Sequence, residues 1–216
     1  MKIGIIGAMD VEIDKFKELF NLSLLEEETY HSKVNNKDLY VVKCGIGKVN
    51  SAATCMHLID KYNVDLIINT GCAGALVDDV KVLDVVLASY VTYHDFDPAR
   101  IMEYSVPNKG KPLADKKMIE LALESVKHLN LNCFIEGICS GDCFVTNSEQ
   151  RDDIYNRTKC YAVDMESASI GHIAAKNNIP FISVRTISDF ADGAVNFEEK
   201  AGHISSDIVK HIIERI

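Results

Sequence analysis

The sequence predicts an α/β fold on a largely parallel or mixed sheet. Strand-length apolar runs alternate along the whole chain with segments of helical periodicity. Several of these runs end in small residues, as buried strands that open onto turns do. One pair of runs is joined by Asn35-Asn36-Lys37, a hairpin signal that adds an antiparallel component.

The elements follow in order. Lys2-Ile3-Gly4-Ile5-Ile6-Gly7 is continuously apolar and reads as strand one. Val11, Ile13, Phe16, Leu19 and Phe20 recur at helical spacing, which gives a helix over 10–20. Segments 29–34 and 38–44 form the hairpin. Cys44-Gly45-Ile46-Gly47 is a turn, with a helix expected over 48–62. Residues 65–70 read as a buried strand ending in Gly71-Cys72-Ala73-Gly74, and 82–93 as a long strand. The stretch 94–114 holds Pro98, Pro107, Pro112 and Gly110 and is predicted as a long loop. A helix is expected over 115–128, a strand over 133–140 and a helix over 148–157 with Ser148 as its cap. Strand 160–164, helix 165–177, strand 180–187 and a C-terminal helix over 197–214 complete the order. No repeat or linker interrupts it, so 1–216 reads as one domain.

The chain carries 32 acids against 23 Lys plus Arg, a net charge of −9. That balance argues against nucleic acid and anionic membranes as partners. No apolar stretch is long enough to span a bilayer. The apolar N-terminus is too short for a signal core and runs directly into Asp10, Glu12 and Asp14, so a cytoplasmic protein is expected. The seven cysteines include no C-x-x-C pair, and no H-E-x-x-H occurs. They read as small buried hydrophobes, and neither a metal nor a cofactor is expected.

Three carboxylates carry the chemistry. Glu12, Glu166 and Asp189 each lie at or just after an apolar run, where ligands bind in parallel α/β folds. Their convergence points to acid/base hydrolysis of a polar, hydroxyl-rich substrate. Two of them also have a plainer role open: Glu166 as a dipole-complementing acid, Asp189 as a helix N-cap. Gly45-Ile46-Gly47-Lys48 is either an anion-binding turn or simply a tight one. Gly71-Cys72-Ala73-Gly74 either admits a ligand close to backbone or packs elements together. Phe144, after Ser140-Gly141-Asp142-Cys143, either stacks on a base or joins the core. Tyr93-His94-Asp95 holds a possible His–carboxylate pair, but near the long loop it reads as a surface or interface feature before it reads as chemistry. The G-x-G-x-x-G and P-loop spacings are absent.

Taken in order, these segments resemble one family: Ile3 to Met9, Glu12, Gly45-Ile46-Gly47-Lys48-Val49, Ile67-Ile68-Asn69-Thr70-Gly71-Cys72-Ala73-Gly74, Tyr93-His94-Asp95, Ser140-Gly141-Asp142, Val163-Asp164-Met165-Glu166 and Ile187-Ser188-Asp189. The chain is similar to the 5′-methylthioadenosine/S-adenosylhomocysteine nucleosidases of the purine nucleoside phosphorylase superfamily. The resemblance implies a three-layer α/β/α fold with a mixed, partly closed central sheet, a homodimer, and a small nucleoside as substrate. It implies hydrolysis of the N-glycosidic bond, with Asp189 as general acid at adenine N7 and Glu12 as the base that activates water. Glu166 would hold the ribose hydroxyls and Met165 would pack on the sugar. Phe144 would stack on adenine, with Val145 main chain reading its edge. Met9, Ile46 and Phe197 would line the sugar and 5′-thio region, and Ala73, Gly74 and Ser188 complete the substrate-binding set. Cys72 departs from the family, where serine is frequent.

A phosphorolytic relative needs fixed cations for phosphate. Asn69 stands where the related bacterial phosphorylases have an arginine, and the N-terminal loop carries Asp10 and Glu12 instead of another. Hydrolysis is therefore expected. A sister activity such as futalosine hydrolase is not separated by sequence, and a non-catalytic nucleoside-binding relative is disfavoured by the three acids together.

Overall fold

Period-two alternation divides each central strand between two cores. In β1 (Lys2–Gly7), Ile3 and Ile5 join one core and Ile6 the other. The first core is closed by Ile13 and Phe16 of α1 (Asp10–Leu19), Met118 and Ala122 of α5 (Lys116–His128), and Ile208 and Ile212 of α8 (Lys200–Arg215). The second is closed by Cys55 of α2 (Lys48–His57), Leu58 of the π-helical turn that continues it, and Ile170 and Ala174 of α7 (Ser167–Lys176). The result is the expected three-layer α/β/α arrangement. The structure, a computed structural model, describes residues 1–97, 99–192 and 198–216.

The remaining strands are β2 (Ser23–Glu26), β3 (Thr29–Val34), β4 (Lys37–Lys43), β5 (Leu66–Ala75), β6 (Val85–Tyr93), β7 (Cys133–Ser140), β8 (Ala162–Asp164) and β9 (Phe181–Asp189). They form one mixed sheet in the order β2-β3-β4-β1-β5-β8-β7-β6-β9, and β9 returns to pair with β5. Strands β5, β8, β7, β6 and β9 thereby close on themselves, while β1 to β4 extend outward from β5.

The register of β5 explains where a site can form. Ile67 to Gly74 pair with β9 along one edge. On the other edge Leu66 to Asn69 pair with β1, and only Gly74 and Ala75 pair with β8. Between Asn69 and Gly74 that edge has no strand partner among the described residues, and its backbone donors must be satisfied otherwise. The gap lies beyond the carboxyl end of β1, where α1 begins.

Several expectations are corrected. Strand β5 continues through Gly71-Cys72-Ala73-Gly74 to Ala75 instead of ending there, because β9 pairs with those residues. The stretch 94–114 is not simply a loop: α3 (Ala99–Ser105), rich in helix formers, precedes the short turn α4 (Pro107–Gly110). Pro107 stands beyond the end of α3, where proline breaks nothing. The cap of α6 (Ser148–Thr158) is Asn147, whose side chain accepts from the Gln150 amide at 2.9 Å. Edge strand β2 has exposed Leu24 and Leu25 and no burial pattern to announce it.

Candidate active site

Glu12 is the third residue of α1, and its carboxylate is 1% exposed. Oε2 accepts the amides of Ala8 at 2.6 Å and Met9 at 3.1 Å, closing the helix start as a capping-box glutamate does. Oε1 reaches into the gap in β5 and accepts the Cys72 amide at 2.8 Å. Gly71 makes that reach possible. At φ +151 a β-carbon there would lie 2.2 Å from Glu12 Oε1 and 2.4 Å from Arg185 Nη1.

Glu166 ends the connection from β8 to α7. Its Oε1 accepts the Gly47 amide at 3.0 Å. Burial raises its pKa to about 7; Arg185 opposes the shift, and Asp164 and Glu12 reinforce it. Asp189 is the last residue of β9 and not a helix cap. Ser188 Oγ donates to its Oδ2 and the Ala191 amide to its Oδ1, both at 2.8 Å. Gly74 admits this carboxylate closely, since a β-carbon would sit 3.0 Å from Asp189 Oδ1.

A residue that sequence reasoning passed over holds the acids together. Arg185, in the middle of β9, is fully buried. Its Nε lies 2.7 Å from Asp164 Oδ2, Nη2 3.5 Å from Glu166 Oε2, and Nη1 3.6 Å from Glu12 Oε1. Nη2 also donates to Asn69 Oδ1 at 2.9 Å and Nη1 to the Cys72 carbonyl at 3.3 Å. Asp164 further accepts from Ser140 and Ser167. The signal was an arginine inside an otherwise apolar or small-residue strand, which cannot be buried without anionic partners.

The three acids meet in a pocket of about 290 Å³. Met9, Glu12, Ile46, Ala73, Gly74, Phe144, Val145, Met165, Glu166, Ser188 and Asp189 all line it, so the structure brings together every expected site residue but one. Phe197 lies outside the described residues. Cys72, Cys143, Val163, Asp164 and Ala191 line it as well. No lysine, arginine or histidine is among the described lining residues. Phe144 is 68% exposed at the rim, so it is not core. The turn 45–48 does bind anions, but they are the protein's own: Gly47 faces Glu166, and the Lys48 amide donates to Asp142 Oδ1 at 2.8 Å. His94 is buried at 6% exposure, which corrects the surface half of its expected surface or interface role, and Asp95 pairs with Lys48. All seven cysteines are free, and among the described residues no cluster of His, Cys, Asp or Glu is disposed to hold a metal.

Comparison with known proteins places this geometry. Residues 2–214 match the phosphorylase superfamily. The 5′-methylthioadenosine/S-adenosylhomocysteine nucleosidase of Staphylococcus saprophyticus is 39% identical, over 99% of this chain and 100% of that protein. This chain belongs to the 5′-methylthioadenosine/S-adenosylhomocysteine nucleosidase family of the phosphorylase superfamily. Among solved structures, the S-adenosylhomocysteine nucleosidase of Streptococcus pyogenes, in complex with 5-methylthiotubericidin, superposes with a TM-score of 0.90 at 30% identity, covering 100% of this chain and 97% of that one. Futalosine hydrolase of Helicobacter pylori gives a TM-score of 0.91 at 30% identity, over 100% of this chain and 98% of that one. The fold is thus shared by proteins named as S-adenosylhomocysteine nucleosidase and as futalosine hydrolase.

Proposed function

We propose that this enzyme hydrolyses the N-glycosidic bond of 5′-methylthioadenosine and S-adenosylhomocysteine, releasing adenine and the 5′-thioribose product. The observation that carries this reading is the convergence of Glu12, Glu166 and Asp189 on one pocket whose described lining includes no cation.

Each carboxylate has acceptor capacity suited to its role. An ionised carboxylate offers about four lone-pair sites. Glu12 gives three of them to the Ala8, Met9 and Cys72 amides, which leaves room for one water. Held in this way, Glu12 orients that water and takes its proton as the bond breaks. Glu166 accepts from Gly47 and faces Arg185, so two sites remain for the two ribose hydroxyls. Asp189 is oriented by Ser188 and Ala191 and delivers a proton to adenine N7, turning a poor leaving group into a neutral one. Phe144 stacks on the base, the main chain of Val145 reads its edge, and Met165 packs on the sugar. Met9 and Ile46, with Phe197, line the sugar and 5′-thio region. As the bond stretches, positive charge develops on the ribose. Buried carboxylates fixed around it stabilise that charge without reorganising.

Phosphorolysis is disfavoured by the same geometry. Arg185 is buried and engaged by three acids, so it offers phosphate no free guanidinium. We further propose a homodimer. Exposed Phe144 and Ile46 at the rim, with Ile101 and Tyr104 on α3, present apolar surface that a second copy would cover. The free thiols fit a reducing, cytoplasmic setting. Among the described residues no helix is long and apolar enough to cross a membrane. The test is adenine release from methylthioadenosine in phosphate-free buffer, run beside futalosine. Turnover of the first without phosphate supports the reading; dependence on phosphate, or cleavage of futalosine alone, refutes it.

A further inference from the structure

Turn 45–48 and loop 141–145 both contribute residues to the pocket, and three charged side chains outside its lining tie them together. Lys48 Nζ lies 2.5 Å from Asp95 Oδ2 and 3.6 Å from Asp142 Oδ2. The Lys48 amide donates to Asp142 Oδ1 at 2.8 Å, and the Asp142 amide donates to Asp95 Oδ2 at 2.9 Å. Each of the three residues therefore touches the other two. Asp95 follows β6, Lys48 opens α2 and Asp142 follows β7, so the trio joins elements far apart in sequence. Burial opposes ionisation of Asp95, but Lys48 and the Asp142 amide outweigh it and hold that carboxyl below its usual range.

Helix α2 has no side-chain cap from its own N-cap residue, Gly47. Asp142 supplies the missing carboxylate from another element. One residue earlier, the Gly47 amide meets Glu166. Adjacent amides of one turn thus serve a fastening carboxylate and a pocket carboxylate. The loop that Asp142 anchors also carries Phe144.

We propose that Asp95, Lys48 and Asp142 form a clasp of positioning residues that holds the Gly47 amide on Glu166 and fixes the spacing of Ile46 and Phe144. The clasp touches no lining atom that reacts, so it acts through the residues it places. The idea deepens the reading of Glu166 as the ribose-binding carboxylate and rests on it. Partly exposed ion pairs add little to global stability. The consequence of breaking this one therefore falls on geometry, to which activity is sensitive.

Lys48→Met tests it, because two carboxylates are then left side by side without their counter-charge. Amide exchange at Gly47, Lys48 and 141–145 should quicken about 10-fold or more, with the melting temperature little changed. The kcat/KM for adenine release should fall by about 10-fold or more. Lys48→Arg should restore most of both. Lys61→Met, which breaks the Lys61–Glu26 pair beyond the other end of α2, should change neither. Should Lys48→Met fail to fold, the near-isosteric Asp95→Asn should reproduce the pattern. Unchanged exchange in 45–48 overturns the clasp whatever the activity, and so does faster exchange with unaltered kcat/KM. A wild type that does not release adenine would instead refute the functional reading, and exchange would still decide the clasp.

Discussion

Replacing Glu166 by glutamine should change how stability depends on pH, in a direction fixed by burial. The carboxyl is 5% exposed, and its pKa rises from 4.5 to about 7. The folded protein therefore holds this proton more tightly than the unfolded chain does. Protonation stabilises the fold: the contribution is complete below pH 4.5 and is lost as the pH rises through about 7. At about 1.4 kcal/mol per unit, the shift is worth ~3 kcal/mol across that window. Glutamine cannot ionise, so Glu166→Gln escapes the loss. Its amide oxygen can still accept from Gly47, while its amide nitrogen faces Arg185 badly, which adds an offset without a slope. Urea unfolding of both proteins, at one protein concentration, should show the variant gaining ~3 kcal/mol on the wild type from below pH 4.5 to above pH 7. Parallel stability curves would refute the claim that burial dominates this carboxyl.

Asp189→Asn keeps size and orientation but delivers no proton, so turnover should fall by ~10²–10⁴-fold while calorimetry still detects substrate analogue binding. Gly71→Ala should cut activity by ~10²-fold, because its β-carbon would drive Glu12 and Arg185 apart; full activity would mean the close approach at Glu12 does not matter. Arg185→Met leaves Asp164, Glu12 and Glu166 without their buried counter-charge and should cost ~3–5 kcal/mol in denaturant unfolding. A nucleoside analogue with a protonated nitrogen in the sugar ring should bind at least ~10²-fold tighter than its neutral counterpart, a margin that calorimetry on wild type and Glu166→Gln would measure and see shrink in the variant.

What the sequence disclosed follows from the range of the interactions involved. Strand β1 and the first half of β5 announce themselves because burial on both faces writes continuous apolar runs, and in β9 the apolar residues Phe181, Ile182, Val184 and Ile187 outweigh the polar ones. Helices α1 and α5 show a helical periodicity because each buries one face only. Edge strand β2 and helix α3 bury almost nothing, so neither leaves a pattern. The end of β5 was misplaced because local propensity reads Gly71 and Gly74 as a turn, whereas pairing to β9 carries the strand past them. Eleven of the twelve expected site residues line one pocket because their strand ends face one gap in the sheet, and the twelfth, Phe197, lies outside the described residues. The pairing of Arg185 with Asp164 is not legible in the sequence because its meaning is relational. A lone arginine in β9 becomes intelligible only when acids from α1, β8 and the start of α7 are seen to surround it.

The central claim is that water, activated at Glu12, is the nucleophile. Methylthioadenosine incubated with the enzyme in oxygen-18-labelled water containing phosphate tests it most directly. The account predicts 5-methylthioribose with label initially at its anomeric hydroxyl, unlabelled adenine, and no sugar phosphate. A 5-methylthioribose 1-phosphate product, or an unlabelled sugar quenched at the first turnovers, would contradict it.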